Sequence, residues 1–355
     1  MRVGFFVDAG AQIGTGHLSR CLTLADHGFK LNHSSVFFLS ADSLSYREKI
    51  ESKGFKVHFR KVSFEKVGSK INKIDYAKSV CFYDDMHEFL SDTKPDLCIA
   101  DSYYLNEEWT RFVKKTVPKV GFIDDLANRK LGGDFIIDQN LDATEEKYIG
   151  LVGRNTLQLL GTEYAILGSQ FKQYRKKSIK NKKNGHIKTI FINFGGSDPE
   201  NYTEKTVRVL LKYHKIKFIK LFIVCGLAYN FKRSISNLLK ESGVDYKLIF
   251  DCQNMAELMA NSDIAIGAGG ITALERCCMG LPTLQLILAK NQHKGTKALT
   301  SKGAIKYVPD INKIGNVLDE FDLSSYGDMS KVCLCLVDGN GATKVIKRLE
   351  VIVEN

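Results

Sequence analysis

Short apolar runs alternate along this chain with longer segments of helical period, and no other feature limits the fold so sharply. Runs at residues 3–7, 35–39, 55–59, 97–100, 119–123 and 134–137 are separated by helix-like stretches. Residues 17–28, for example, bring Leu18, Cys21, Leu22 and Ala25 onto one side, and 106–117 around Trp109, Phe112 and Val113 read as a second helix. The pattern breaks between Leu159 and Gly185, turns basic, and restarts with the run from Ile187 to Phe194. Further strands are expected at 219–224, 246–250, 263–266 and 283–288, with helices near 200–214, 231–242, 255–262, 270–279 and 292–302. Alternating strands and helices imply parallel sheets with crossover helices. The expected fold is therefore α/β, with two Rossmann-type doubly wound domains facing a central cleft. Ligands of such sheets bind at the carboxyl ends of the strands.

The boundaries follow from the same pattern. Residues 1–165 form an N-terminal Rossmann-like domain, 166–186 a basic linker, 187–340 a C-terminal Rossmann-like domain, and 341–355 a closing helix with Val345, Ile346, Leu349 and Ile352 on one side. Two glycine-rich turns stand where a strand passes into a helix. Gly14-Thr15-Gly16-His17 follows the run from Val3 to Val7, and Gly267-Ala268-Gly269-Gly270-Ile271-Thr272 follows Ile264 and Ile266. Such a turn aims backbone N–H groups and the positive end of a helix at one point, a ready place for an anion. One turn of this kind can be mere chain reversal. Two of them, one carrying a histidine and the other leading to Glu275, point to a phosphorylated ligand.

Lysine and arginine number 51 against 40 acidic residues, a formal charge of +11. Much of the excess lies in 172–183, where only Tyr174 interrupts the basic residues, so a solvated linker is expected rather than a nucleic-acid tract. The opening apolar run ends at Asp8, too short for a signal peptide, and no later stretch reaches the length of a membrane span. The nine cysteines form no C-x-x-C pair and fall mostly within apolar elements, which reads as reduced core thiols of a cytoplasmic protein without a zinc site. Asp124 and Asp125 leave a strand in opposite directions and are not expected to chelate a cation together.

Beyond these physical signals, the run Asp8-Ala9-Gly10-Ala11-Gln12-Ile13-Gly14-Thr15-Gly16-His17-Leu18-Ser19-Arg20-Cys21-Leu22 resembles the N-terminal signature of the UDP-sugar hydrolases of pseudaminic acid biosynthesis. The resemblance continues through Asp101-Ser102-Tyr103, residues 123–129, Asp138-Gln139-Asn140-Leu141 and residues 160–165. It resumes at Phe194-Gly195-Gly196-Ser197-Asp198-Pro199, Gly267 to Glu275, Gly280-Leu281-Pro282 and Asn291-Gln292. More distantly the chain looks like the GT-B glycosyltransferase that adds N-acetylglucosamine in peptidoglycan synthesis. Where the hydrolases commonly carry serine, tryptophan and arginine, this chain has Gly10, Leu274 and Gly168.

The resemblance implies cleavage of UDP-2,4-diacetamido-2,4,6-trideoxy-β-L-altropyranose to UDP and the free sugar without a metal; a monomer with no cofactor is expected. His17 is implied as the general base; the positive helix end favours a neutral ring that can take a proton from water. Attack on the anomeric carbon opposite UDP inverts it and breaks the C–O bond. Gly269, Gly270 and Thr272 are implied to meet the diphosphate charge in place of a cation, and Glu275 to accept the ribose hydroxyls. Gly14, Gly16, Gly196, Ser197, Asn291 and Gln292 are further substrate contacts. Asp8, Asp101, Tyr103 and Asn140 lie on the sugar side, where Asp8 either orients His17 or a sugar hydroxyl, or caps the turn. Asn254 is expected to start a short helix before the nucleotide loop. A GT-B glycosyltransferase with a UDP-sugar donor is the alternative, since the nucleotide half is the same, and a non-catalytic nucleotide-sugar sensor is a third possibility.

Overall fold

The computed structural model describes residues 1–10, 13, 15–67, 70–74, 80–182, 187–321 and 323–354. It divides into two compact units, one made of Met1–Ile166 and Asn340–Asn355, the other of Leu167–Gly339. The first unit runs β1 (Arg2–Ala9), α1 (Gly16–Lys30), β2 (Ser34–Ala41), α2 (Leu44–Glu51), β3 (Lys56–Lys61), β4 (Ser63–Val67), β5 (Lys70–Ile74), α3 (Val80–Thr93), β6 (Leu97–Asp101), α4 (Glu107–Val113), β7 (Lys119–Ile123), β8 (Phe135–Asp138) and β9 (Leu157–Leu160). Seven of these strands form one sheet in the order β3-β2-β1-β6-β7-β8-β9, every adjacent pair parallel. β4 and β5 make a separate antiparallel pair that the alternation did not announce.

Both faces of this sheet are covered, which is why its strands read as unbroken apolar runs. Phe5, Val7, Phe37, Leu39 and Ile99 point to one face and meet Leu18, Cys21 and Leu24 of α1. Phe6, Phe38, Ala100 and Phe122 point to the other and meet Met86 and Phe89 of α3 and Trp109 of α4. Phe6 lies edge-on to Trp109 and Phe89 at 5.2 and 5.4 Å between ring centres, a favoured aromatic geometry.

The second unit contains α5 (Ser169–Asn181), β10 (Thr189–Asn193), α6 (Tyr202–Leu210), β11 (Lys220–Cys225), α7 (Lys232–Ser242), β12 (Tyr246–Phe250), α8 (Met255–Ala260), β13 (Ile264–Ala268), α9 (Ile271–Cys278), β14 (Thr283–Leu286), α10 (Gln292–Ser301), β15 (Lys306–Tyr307), α11 (Ile314–Glu320) and α12 (Leu323–Leu336). Its six-stranded parallel sheet has the order β12-β11-β10-β13-β14-β15. The chain then returns to the first unit as α13 (Gly341–Glu354), whose Val345, Ile346 and Leu349 enter the same core as Phe5 and Leu24.

The stretch expected as a basic linker instead carries α5, and its docking explains why composition concealed it. The helix is held by polar groups set on the open carbonyl ends of other helices. Arg175 donates to Cys278 O, to Val337 O at 2.9 Å and to Leu334 O at 2.7 Å. Ser178 donates to Met279 O at 2.6 Å, and Asn181 to Ala260 O at 3.0 Å. A helix anchored this way needs few apolar residues, and Phe171 is its one large buried side chain. Each sheet reverses its strand order once, between β1 and β6 and between β10 and β13. Ligands of doubly wound sheets collect at those reversals, where the second glycine turn and the described residues Thr15 to His17 of the first follow β13 and β1.

Candidate functional site

At the reversal of the first sheet, β1 and β6 run side by side with Val7 opposite Asp101. Asp8 and Asp101 thus emerge together at the carboxyl ends, and both are buried. Asp8 accepts a short hydrogen bond from the Ser102 hydroxyl, which in turn accepts from Tyr104 N at 3.1 Å. That carboxylate and burial push the Tyr104 phenol up to about 12, burial being the larger effect. Asp8 therefore organises the β6–α4 turn.

His17 enters as the second residue of α1, after Thr15, whose side chain makes no capping bond to the helix. The imidazole is 6 % exposed, and its Nδ1 has no hydrogen-bond partner among the described residues. Asp101 Oδ1 lies 3.6 Å from that nitrogen, too far for a hydrogen bond yet near enough to become one by a small ring rotation. The Tyr103 ring packs edge-on against the imidazole at 4.5 Å. Asp101 is itself gripped by Arg20, Nε to Oδ2 at 2.5 Å and Nη2 to Oδ1 at 2.6 Å, a bidentate charge-assisted pair. Burial opposes the charge on Arg20, but Asp101 outweighs it and holds the guanidinium well above its ordinary value. Burial also works against the Asp101 carboxylate; Arg20 and then His17 overcome it and hold the group below its ordinary value. Asp101 is thus an ionised, buried acceptor.

Around this centre, Arg129 ties the neighbouring turns together by donating to Asp124 Oδ1 at 2.7 Å, Ser102 O at 2.7 Å and Leu105 O at 2.8 Å. Asp125 faces another cation, with its Oδ2 3.7 Å from Arg20 Nη1. The two adjacent aspartates therefore serve different guanidinium groups. Among the described residues no cluster of three His, Cys, Asp or Glu side chains is placed to hold a metal ion. Asn140 bonds locally, its backbone and side-chain N–H groups both donating to Asp138 Oδ1 at 3.0 and 2.9 Å. Gly16 opens α1, whereas Gly14 lies outside the described residues.

At the reversal of the second sheet, Asn193 of β10 pairs with Gly267 of β13. A Cβ at 267 would sit 2.4 Å from Asn193 O and 2.9 Å from Arg276 Nη1, so only glycine fits. The chain then turns through Gly269 and Gly270, the latter with φ of +98°, and starts α9 without a side-chain cap. A helix start of this kind leaves its first amides without helical partners, an anion-binding arrangement, although Ala273 N donates to Gly270 O at 3.0 Å. Gly195 turns with φ of +91° beside them, followed by Gly196 and Ser197. Asp198 caps α6, accepting from Tyr202 N at 2.8 Å and Thr203 N at 2.7 Å. Gln292 packs against Gly269 and accepts from Leu288 N at 2.9 Å, and Asn291 precedes α10 without a side-chain capping bond. Asn254 does cap α8, accepting from Glu257 N at 3.2 Å.

Glu275 lies in α9 one turn beyond Ile271. Its Oε2 is buried with no hydrogen-bond partner among the described residues. Burial raises this carboxyl to about 7, against the pull of Arg276. A buried acceptor without a donor remains available to a hydrogen-bond donor from outside the described residues. The next residue, Arg276, was not anticipated from the sequence. Buried beneath the glycine turn, it donates to Ala268 O at 2.7 Å, Gln285 Oε1 at 3.1 Å and Thr272 Oγ1 at 3.4 Å. Gln285 passes the network on to Thr296 at 2.7 Å. With its oxygen occupied as an acceptor, Thr272 keeps its own O–H free to donate. The role of Arg20 is likewise one that the sequence alone does not reveal. In both cases the signal was an arginine directly before two apolar helix residues, Cys21 and Leu22 or Cys277 and Cys278; where it is buried it must be paired.

Residues 189–322 match the glycosyltransferase family 28 C-terminal domain. An uncharacterised protein of Methanocaldococcus jannaschii is 28 % identical over 81 % of this chain, which spans only 55 % of that relative's length. The spore coat polysaccharide biosynthesis protein SpsG of Bacillus subtilis is 24 % identical across 100 % of this chain and 99 % of its own. The UDP-2,4-diacetamido-2,4,6-trideoxy-beta-L-altropyranose hydrolase of Campylobacter jejuni is 23 % identical over 85 % of this chain and 97 % of its own. Among solved structures, MurG of Acinetobacter baumannii superposes with a TM-score of 0.69 at 12 % identity, covering 98 % of this chain and 99 % of its own. The UDP-GlcNAc 2-epimerase of Neisseria meningitidis, bound to UDP-GlcNAc, gives 0.63 at 17 % identity over 100 % of both chains. The chain therefore consists of two parallel-sheet Rossmann-like domains with the fold of GT-B enzymes, and it is related in sequence to proteins that process UDP-sugars.

Proposed function

We propose that this protein is a UDP-sugar hydrolase that cleaves UDP-2,4-diacetamido-2,4,6-trideoxy-β-L-altropyranose to UDP and 2,4-diacetamido-2,4,6-trideoxy-L-altropyranose, a step of pseudaminic acid biosynthesis. One observation carries this reading. A buried imidazole faced by an ionised carboxylate stands at the strand-order reversal of the first sheet. An imidazole nitrogen placed in this way suits the removal of a proton from water. The water oxygen bonds to the anomeric carbon, the bond from that carbon to the UDP oxygen breaks, and His17 takes the proton. Attack opposite the leaving group inverts the anomeric centre.

The second unit supplies what the leaving group requires. The amides of the Gly269–Gly270 turn, the α9 N-terminus and the Thr272 hydroxyl meet the growing diphosphate charge, so no cation is needed. Glu275 Oε2 accepts the ribose hydroxyls. Gly16, Gly196, Ser197, Asn291 and Gln292 complete the contacts to the nucleotide, and Tyr103 and Asn140 those to the sugar. The chain's eight described cysteines are all free thiols, in keeping with work in the reducing cytoplasm.

A glycosyltransferase is the second reading, favoured by the family 28 match over residues 189–322. Incubation of the protein with the UDP-diacetamido sugar and no acceptor separates the two. Rapid release of UDP with new anomeric NMR signals is expected. Release only after an acceptor is added supports the transferase, and a changed sugar still attached to UDP supports an epimerase.

A further inference from the structure

We infer that Asp101, held by Arg20, is the positioning residue of His17: it accepts the Nδ1 proton of the imidazole and so leaves Nε2 as the unprotonated nitrogen. The inference rests on His17 being the base. Asp8, the carboxylate at the end of the neighbouring strand β1, accepts from the Ser102 hydroxyl.

Three features converge on Asp101. Its Oδ1 lies 3.6 Å from His17 Nδ1. That nitrogen is buried and without a hydrogen-bond partner among the described residues. A buried ring nitrogen left unpaired costs free energy unless a partner is reached, and Asp101 is the acidic group the structure pairs with it. The guanidinium of Arg20, three residues along the same helix, fixes both carboxylate oxygens. The thiol of Cys21 also faces Oδ2, at 3.8 Å. A carboxylate so fixed has little freedom to turn away, and a carboxylate accepts hydrogen bonds without donating any. The tautomer with the proton on Nδ1 is therefore selected by geometry, and hydrogen bonds at such centres commonly shorten when substrate arrives.

The arrangement predicts that removing the carboxylate leaves substrate binding intact while disordering the base. Asp101→Ala alone strands a buried Arg20 and can unfold the unit, so the deciding variant is Arg20→Met with Asp101→Leu, which replaces the buried pair by apolar groups of similar volume. With this double variant, kcat for UDP release is expected to fall about 10²–10⁴-fold, with KM within about threefold. A fall caused only by a weakened fold moves the unfolding midpoint; the apolar pair is chosen to keep it. The second readout is ¹⁵N NMR of histidine-labelled protein, with His17→Asn identifying the signals. Wild type is expected to show His17 protonated at Nδ1 and bare at Nε2, and the double variant to lose that preference. Wild-type kcat in the double variant, or an unchanged tautomer, overturns the inference. Failure of the base reading shows separately, as undiminished UDP release by His17→Asn, whereas the tautomer is measured without any turnover.

Discussion

The Arg20 guanidinium and the Asp101 carboxylate meet fork to fork, at 2.5 and 2.6 Å, inside the first unit, and the same carboxylate lies 3.6 Å from His17 Nδ1. A buried pair of this kind adds little net stability by itself. Its effect is to keep one anion fixed beside one imidazole. His17→Asn removes the base but not the nucleotide contacts of the second unit. Turnover is expected to drop by about 10²–10⁴, while UDP affinity, measured calorimetrically, stays within about threefold.

On the proposed function, Glu275 ties nucleotide binding to pH. Burial raises its carboxyl to about 7, so it passes from neutral to ionised across neutrality, and the ionised form accepts through both oxygens where the protonated form has one of them committed as a donor. Affinity for UDP-GlcNAc, whose diester phosphates do not titrate in this range, is expected to rise between pH 6 and 8. Glu275→Gln should bind more weakly and without that slope. The linked effect on the free protein has the opposite sign. The folded state holds a proton that the unfolded state has lost between the ordinary value of 4.5 and about 7, so this group's contribution to stability falls as pH rises through that window.

The Arg276 side chain supports the glycine turn through Ala268 O and Gln285 Oε1. Arg276→Met removes both bonds and leaves two buried acceptors without their donor, a loss of about 2–3 kcal/mol in unfolding free energy. UDP affinity is expected to fall at least tenfold, because the turn that presents Gly269 and Gly270 loses its brace. Gly267→Ala is expected to do similar damage, since the added Cβ would lie 2.4 Å from Asn193 O.

Lys182 gives the second unit its own pH dependence. Its ammonium is buried, donating to Ser178 Oγ at 2.6 Å and Met259 O at 3.0 Å. Burial lowers it from 10.5 to about 7, with Asp263 acting in the other direction. Between those values the unfolded chain holds a proton that the folded one has released, so stability attributable to this group rises with pH from about 7 to 10.5. Lys182→Met is expected to flatten that rise in denaturant melts and to match or exceed wild-type stability at pH 7.

Much of this could be read from residue order alone, and the exceptions share a cause. Strands such as Val3–Val7 and Ile264–Ile266 announce themselves because both of their faces are buried. The second glycine turn announces itself because Gly267 and Gly270 occupy positions where a side chain clashes or is strained. Helix α5 stayed hidden because it docks through Arg175 and Ser178 rather than through an apolar face. The roles of Arg20 and Arg276 stayed hidden for a related reason. Each acts on a group distant in sequence, Asp101 at 81 residues and Gln285 at 9, and spacing along one helix does not identify such partners.

Hydrolysis in ¹⁸O-labelled water with the UDP-diacetamido sugar as sole substrate tests the central claim most directly. The account requires the label in the released sugar at C1, the inverted anomer as first product, and near-total loss of the reaction in His17→Asn. Label in UDP, or UDP release that persists unchanged without His17, contradicts it.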